Sequence, residues 1–145
     1  MPAKNVLVEI RQGEGFKTEC TAGKHTVVID QPAALGGTDE GPTPLDYQCI
    51  SLGGCIAAIG RIIAKQRRLP IRGIQVSVEG KLNTDRLLGK TSQDRTGFSS
   101  FSVVVAIDAD LSREEKAKLL SEIDDRCPVS DNLTSPAAVA IVLAE

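Results

Sequence analysis

The feature that most constrains this chain is an apolar stripe between Thr43 and Arg68. Leu45, Cys49, Leu52, Ile56, Ile59 and Ile63 recur at alternating spacings of four and three. At ~3.6 residues per turn, this predicts one continuous buried face over about five turns of α-helix. Thr43 is placed to cap that helix, Pro44 suits its first position, and Asp46 follows Thr43 by three residues. Arg61, Lys65, Arg67 and Arg68 put positive charge at the far end, and Pro70 disfavours helical geometry at Leu69. A long helix with one apolar face must be covered by another layer, so the rest of the chain has to supply one.

Alternating positions supply it. Val6, Val8 and Ile10 predict a half-buried strand; Phe16 to Thr21 and His25 to Asp30 predict two more, with a turn at Ala22-Gly23. The stretch 31–44 is rich in Gly and Pro and reads as an ordered loop before the helix. After the helix, Ile74, Val76 and Val78 alternate in one strand, and Phe101, Val103, Val105 and Ile107 in another. A polar loop, 83–96, joins them. Ser112 and Glu115 form a capping box for a second helix with the stripe Leu119, Leu120, Ile123 and Cys127, which Pro128 ends. Residues 129–133 read as a short turn or helix, and Ala138 to Leu143 as a closing strand. The expected order is βββ-α-ββ-α-β, an α+β fold. With 145 residues, against about 150 per domain, it is expected to form a single domain over 1–145.

Composition removes several functions. Lys and Arg total 17 against 19 Asp and Glu, a net charge of −2, so no basic stripe for nucleic acid is expected. Aromatic residues are 3% of the chain and Trp is absent, which also argues against a base-stacking surface. The longest apolar run, 137–144, falls far short of the ~20 residues that cross a bilayer. No signal-peptide core precedes the first strand. The expectation is a cytoplasmic protein with neither a membrane nor a nucleic-acid partner. His25 is the one histidine, which weakens mechanisms with a His base. It also leaves too few ligands for a metal site, so neither metal nor cofactor is expected.

The four cysteines, Cys20, Cys49, Cys55 and Cys127, show no C-x-x-C spacing. In a reducing compartment they are expected to rest as thiols. Cys55 falls at the edge of the first helix's buried face and follows Gly53 and Gly54. Two glycines inside a helix cost up to ~2 kcal/mol relative to alanine, so a close neighbour or a substrate is expected there. Cys127 lies one turn after Ile123, facing the core at a helix end. Each thiol has a plain packing role as its alternative. Cys49 and Cys20 read as packed thiols, and Asp46 as a partner of the helix dipole.

Three segments carry more specific information: 35–44 (Leu-Gly-Gly-Thr-Asp-Glu-Gly-Pro-Thr-Pro), 51–55 (Ser-Leu-Gly-Gly-Cys) and 126–133 (Arg-Cys-Pro-Val-Ser-Asp-Asn-Leu). In this order they resemble the OsmC/Ohr family of thiol-dependent peroxidases over nearly the whole chain. The resemblance implies an intertwined homodimer with two central helices. It makes Cys55 the peroxide-reacting thiol and Cys127 the resolving thiol, with organic hydroperoxides as substrates and an external dithiol as reductant. Such chemistry needs a thiolate, so a depressed pKa at Cys55 is expected. Where the family places a Glu ten residues before the reacting Cys, this chain has Leu45; Asp46 is adjacent. Arg11, the only Arg before residue 61, is the candidate for the family's activating Arg. The alternatives are a non-enzymatic dimer that binds a small apolar ligand, and a redox sensor.

Overall fold

The computed structural model describes residues 2–145. Its element order is β1 (Val8–Gln12), β2 (Thr18–Ala22), β3 (His25–Ile29), α1 (Pro44–Arg67), β4 (Ile71–Lys81), β5 (Ser100–Ala109), α2 (Arg113–Arg126) and α3 (Pro128–Thr134). This is an α+β chain in two compact units, 1–48 and 49–145, divided within α1.

In the first unit, β1, β2 and β3 form an antiparallel meander. Ile10 faces Cys20, Cys20 faces Val27, and Arg11 faces Glu19. The turn falls at Gly23-Lys24, one residue later than the sequence predicts, because Gly23 takes the left-handed conformation with φ +60°. The loop after β3 is organised around Asp30, whose side chain is fully buried. Its carboxylate accepts from the Gln31 amide at 2.7 Å, the Thr38 hydroxyl at 2.8 Å and the Glu40 amide at 3.1 Å. These donors, the Gln31 amide first, hold the Asp30 pKa below its ordinary value. A Cβ on Gly37 would lie 2.0 Å from the Gln31 carbonyl oxygen, and one on Gly41 2.4 Å from that of Val28. The loop therefore admits only glycine at both positions. Thr43 and Asp46 close the N-terminus of α1 reciprocally: the Asp46 amide donates to Thr43 Oγ1 at 3.2 Å, and the Thr43 amide to Asp46 Oδ2 at 2.9 Å.

In the second unit, residues 49–67 of α1 and all of α2 pack with the antiparallel β4–β5 hairpin. Leu52, Ile56, Ile63 and Ala64 from α1 join Ile71, Ile107, Ala109, Leu119, Ile123 and Cys127 in one buried cluster. By length and composition α1 could cross a membrane. Here its buried side chains belong to that cluster. The predicted capping box of α2 is present in full, with the Glu115 amide on Ser112 Oγ at 3.1 Å and the Ser112 amide on Glu115 at 2.7 Å. Leu119 and Ile123 are buried, while Leu120 is exposed.

One predicted element is corrected. Residues 136–145 form no strand, and Val139, Ile141, Val142 and Leu143 are 83–96% exposed. The apolar, β-branched pattern is present in the sequence, but a strand exists only where its amides find a ladder partner. Among the described residues this segment pairs with none.

Candidate active site

Cys55 is carried by α1 and is partly buried against the core cluster. Cys127 stands between α2 and α3 and is 1% exposed. Packing α1 against α2 brings the two thiols together, although 71 residues separate them along the chain (127 − 55 − 1). Cys127 is buried in the cluster and Cys55 is packed against it. All four cysteines are free.

Cys127 terminates α2 and also caps α3. Its backbone is extended, with φ −84° and ψ 108°, and its Sγ accepts from the Ser130 amide at 3.4 Å. Pro128 occupies the first position of α3, where a missing amide proton costs nothing. The amide of the neighbouring Val129 favours ionisation of the Cys55 thiol.

The Cys55 pKa is raised, not depressed as the sequence leads one to expect. Burial is the largest cause, and the hydrogen bond and charge of Cys127 add to it. The Val129 amide acts the other way and favours the thiolate. The expectation overlooked how much water the core cluster removes from this sulfur. Leu52 is buried beside Ile56, and Ile59 is half-buried, while Ile62 is 43% exposed.

The other predicted residues lie in the first unit. Arg11 is an exposed residue of β1, paired in register with Glu19. Asp46 is exposed, and its carboxylate is engaged by the Thr43 amide and hydroxyl in the α1 cap. The glycines have different reasons. A Cβ on Gly53 would press the Val78 side chain at 3.2 Å, whereas one on Gly54 meets nothing within 4 Å. Gly53 and Gly54 line a groove of about 380 Å³ with Cys49, Ile50, Ala57 and three β4 side chains. Cys55 is not part of that lining. Sequence reasoning missed Val129, Ser130 and Asp124. Pro128 directly after Cys127, with Ser130 three residues on, was the signal that a new helix begins at the thiol.

Cys55 on α1 and Cys127 at the α2–α3 junction are thus free thiols of one packed cluster in an α+β fold. The family profile described as OsmC-like protein matches residues 37–142, and the chain belongs to that family. Solved structures share the fold. An OsmC-like protein from Mycoplasma pneumoniae superposes with a TM-score of 0.80 at 18% identity, covering 92% of this chain and 89% of that one. An organic hydroperoxide resistance protein from Legionella pneumophila gives 0.68 at 18% identity, covering 93% of each chain. The organic hydroperoxide resistance protein OhrB of Bacillus subtilis gives 0.59 at 21% identity, covering 92% and 93%. No curated protein matches the chain.

Proposed function

We propose that this protein is a thiol-dependent peroxidase that reduces organic hydroperoxides, with Cys55 as the attacking thiol and Cys127 as the resolving one. The observation that supports the reading is that both thiols are free and pack into one cluster, where Cys127 is among the groups that raise the Cys55 pKa. Cys55 is the more accessible sulfur; Cys127 is 1% exposed, which suits a group that acts only on its neighbour. The Cys55 thiolate attacks a peroxide oxygen; the O–O bond breaks, an alcohol leaves, and the sulfur becomes a sulfenic acid. The Cys127 thiol condenses with it, releasing water and forming a disulfide before further oxidation. An external dithiol then returns both sulfurs to thiols by exchange. The apolar side chains Leu52 and Ile59 suit an alkyl hydroperoxide better than hydrogen peroxide.

The working form in this reading is an intertwined homodimer. Ile10 and Val8 of β1 and the whole 139–143 segment expose apolar surface that a second copy would cover. Because burial raises the Cys55 pKa, the reaction needs a cation beside it; Arg11 is the candidate, with Asp46 as a candidate orienting group. The working compartment is the cytoplasm, where thiols stay reduced. The upward shift of Cys55 also favours a second reading, a redox-responsive dimer whose disulfide forms slowly.

The test treats reduced protein with one equivalent of cumene hydroperoxide and follows Cys55 by mass spectrometry, in the parent and in Cys127→Ser. Fast disulfide formation in the parent and a trapped sulfenic acid in the variant are expected. Slow, unselective oxidation of all the cysteines would overturn the peroxidase.

A further inference from the structure

We propose that Asp124 and Ser130 form a positioning clamp that fixes the α2–α3 junction and so holds the Cys127 thiol for its reaction with Cys55. The proposal deepens the reading of Cys55 and Cys127 as a reactive pair, and rests on it.

The α2–α3 junction is short and its direction is set by few bonds. The Cys127 amide donates to the Asp124 carbonyl at 3.2 Å, and the Asp131 amide to the Cys127 carbonyl at 3.0 Å. Pro128 supplies no amide proton. The side-chain bond across the junction is Ser130 Oγ to Asp124 Oδ1, at 2.7 Å. It ties the last turn of α2 to the first turn of α3. A hydroxyl on a carboxylate at this distance is a charge-assisted bond, stronger than a neutral one.

Ser130 has two duties. Its hydroxyl grips Asp124, and its amide meets Cys127 Sγ at 3.4 Å. The preceding residue, Val129, has the amide that favours ionisation of Cys55. Both residues belong to one turn of backbone, so a rotation of α3 about Pro128 breaks the contact of Ser130 with Cys127. The clamp is what resists that rotation. Asp124 is exposed and contributes nothing to the buried cluster, so packing does not account for the pairing. Neither side chain touches the substrate in this scheme; they act through Cys127 and Val129.

The test uses a chromogenic aryl disulfide and needs no hydroperoxide. The Cys55 thiolate displaces one aryl thiolate and becomes a mixed disulfide. The Cys127 thiolate then attacks the Cys55 sulfur and displaces the second. The protein loses two electrons, the reagent gains them, and two protons leave. Peptide mass spectrometry separates these steps from reaction at Cys20 and Cys49. The readout is the rate of the second release relative to the first. Ser130→Ala is expected to lower that ratio about tenfold, the weight of one hydrogen bond to a charged group. Ser130→Thr keeps the donor and is expected to keep the parent ratio, whereas Asp124→Asn leaves a neutral acceptor and is expected to fall between the parent and Ser130→Ala. All are compared well below their melting temperatures, where a merely structural loss leaves the ratio unchanged. A parent ratio in Ser130→Ala overturns the clamp, as does a Ser130→Thr variant as slow as Ser130→Ala. A parent that never releases the second aryl thiolate also overturns it. A parent that closes its disulfide with this reagent, loses closure in Ser130→Ala and yet ignores cumene hydroperoxide upholds the clamp and overturns the peroxidase.

Discussion

Gly60→Ala tests whether the close approach of α1 and α2 is what lets the thiols meet. Gly60 is buried in α1, and a Cβ there would lie 2.6 Å from Ile74 Cδ1 of β4 and 3.1 Å from Ile123 Cδ1 of α2. Carbon atoms settle at about 3.5–4.0 Å, so the neighbours must retreat by about 1 Å. Ile74 can yield by turning its terminal methyl. Ile123 is fully buried, one turn before Cys127, and has less room. Overpacking of this kind costs about 1–3 kcal/mol. Replacing a mid-helix glycine returns up to ~1 kcal/mol. The net expectation is a loss of about 1 kcal/mol, or about 3 °C in melting temperature for a chain of this size. The chemical effect is larger, because a displacement of about 1 Å between reacting groups can cost up to ~100-fold in rate. Calorimetry gives the first quantity, and stopped-flow measurement of sulfenate-to-disulfide closure gives the second. A closure rate at least tenfold below the parent is expected, by the same geometric argument. A variant that melts higher than the parent and closes at the parent's rate would refute the reasoning. It would show that Ile74 absorbs the whole insertion.

Two further outcomes bear on how the site is completed. Burial and Cys127 raise the Cys55 pKa above its ordinary 9.0, so with no added cation the thiol reaches half-ionisation only above that value. Alkylation of Cys55 by iodoacetamide, followed against pH, is expected to show its midpoint above 9.0 in Arg11→Ala and lower in the parent. Equal midpoints would remove Arg11 from the mechanism. Deleting residues 136–145, whose apolar side chains are almost fully exposed, is expected to leave helical circular dichroism intact and shift sedimentation towards the monomer. An unchanged dimer would show that this segment covers nothing.

What could be read in advance was local. The Thr43–Asp46 cap and the Ser112–Glu115 box each lie within one helical turn and are present, and the stripe from Leu45 to Ile63 repeats every three or four residues, with Leu52, Ile56 and Ile63 buried and Leu45, Cys49 and Ile59 half-buried. The reasons for Gly37 and Gly41 were not local: each leaves room for a carbonyl oxygen six or thirteen residues earlier (37 − 31 and 41 − 28). The closing segment shows the same division. Its alternation was visible, but the edge it needs is not contributed by residues 2–135. For the candidate site, the resemblance carried by the segments 35–44, 51–55 and 126–133 is what singled out Cys55 and Cys127. Their ionisation did not follow, because it depends on how much solvent the core cluster removes, and no spacing rule reports that.

That last point separates two demands that a reactive thiol pair has to satisfy. Closing a disulfide rewards proximity, and in the proposed reading the packing of α1, α2 and α3 provides it. Ionising the attacking sulfur rewards solvent or positive charge, and the same packing withdraws the first. The α3 amides offset part of the loss: that of Val129 favours the Cys55 thiolate, and that of Ser130 donates to Cys127. They do not reverse it, since Cys55 still ends above its ordinary value. A fold that brings two sulfurs close inside apolar surroundings therefore makes a good resolving arrangement before it makes a good nucleophile. Charge brought to Cys55 from outside residues 49–145 would switch the first kind of site into the second. Arg11 is the side chain on which that switch is proposed to depend, and its removal should slow the attack on peroxide while leaving closure of a preformed Cys55 mixed disulfide untouched.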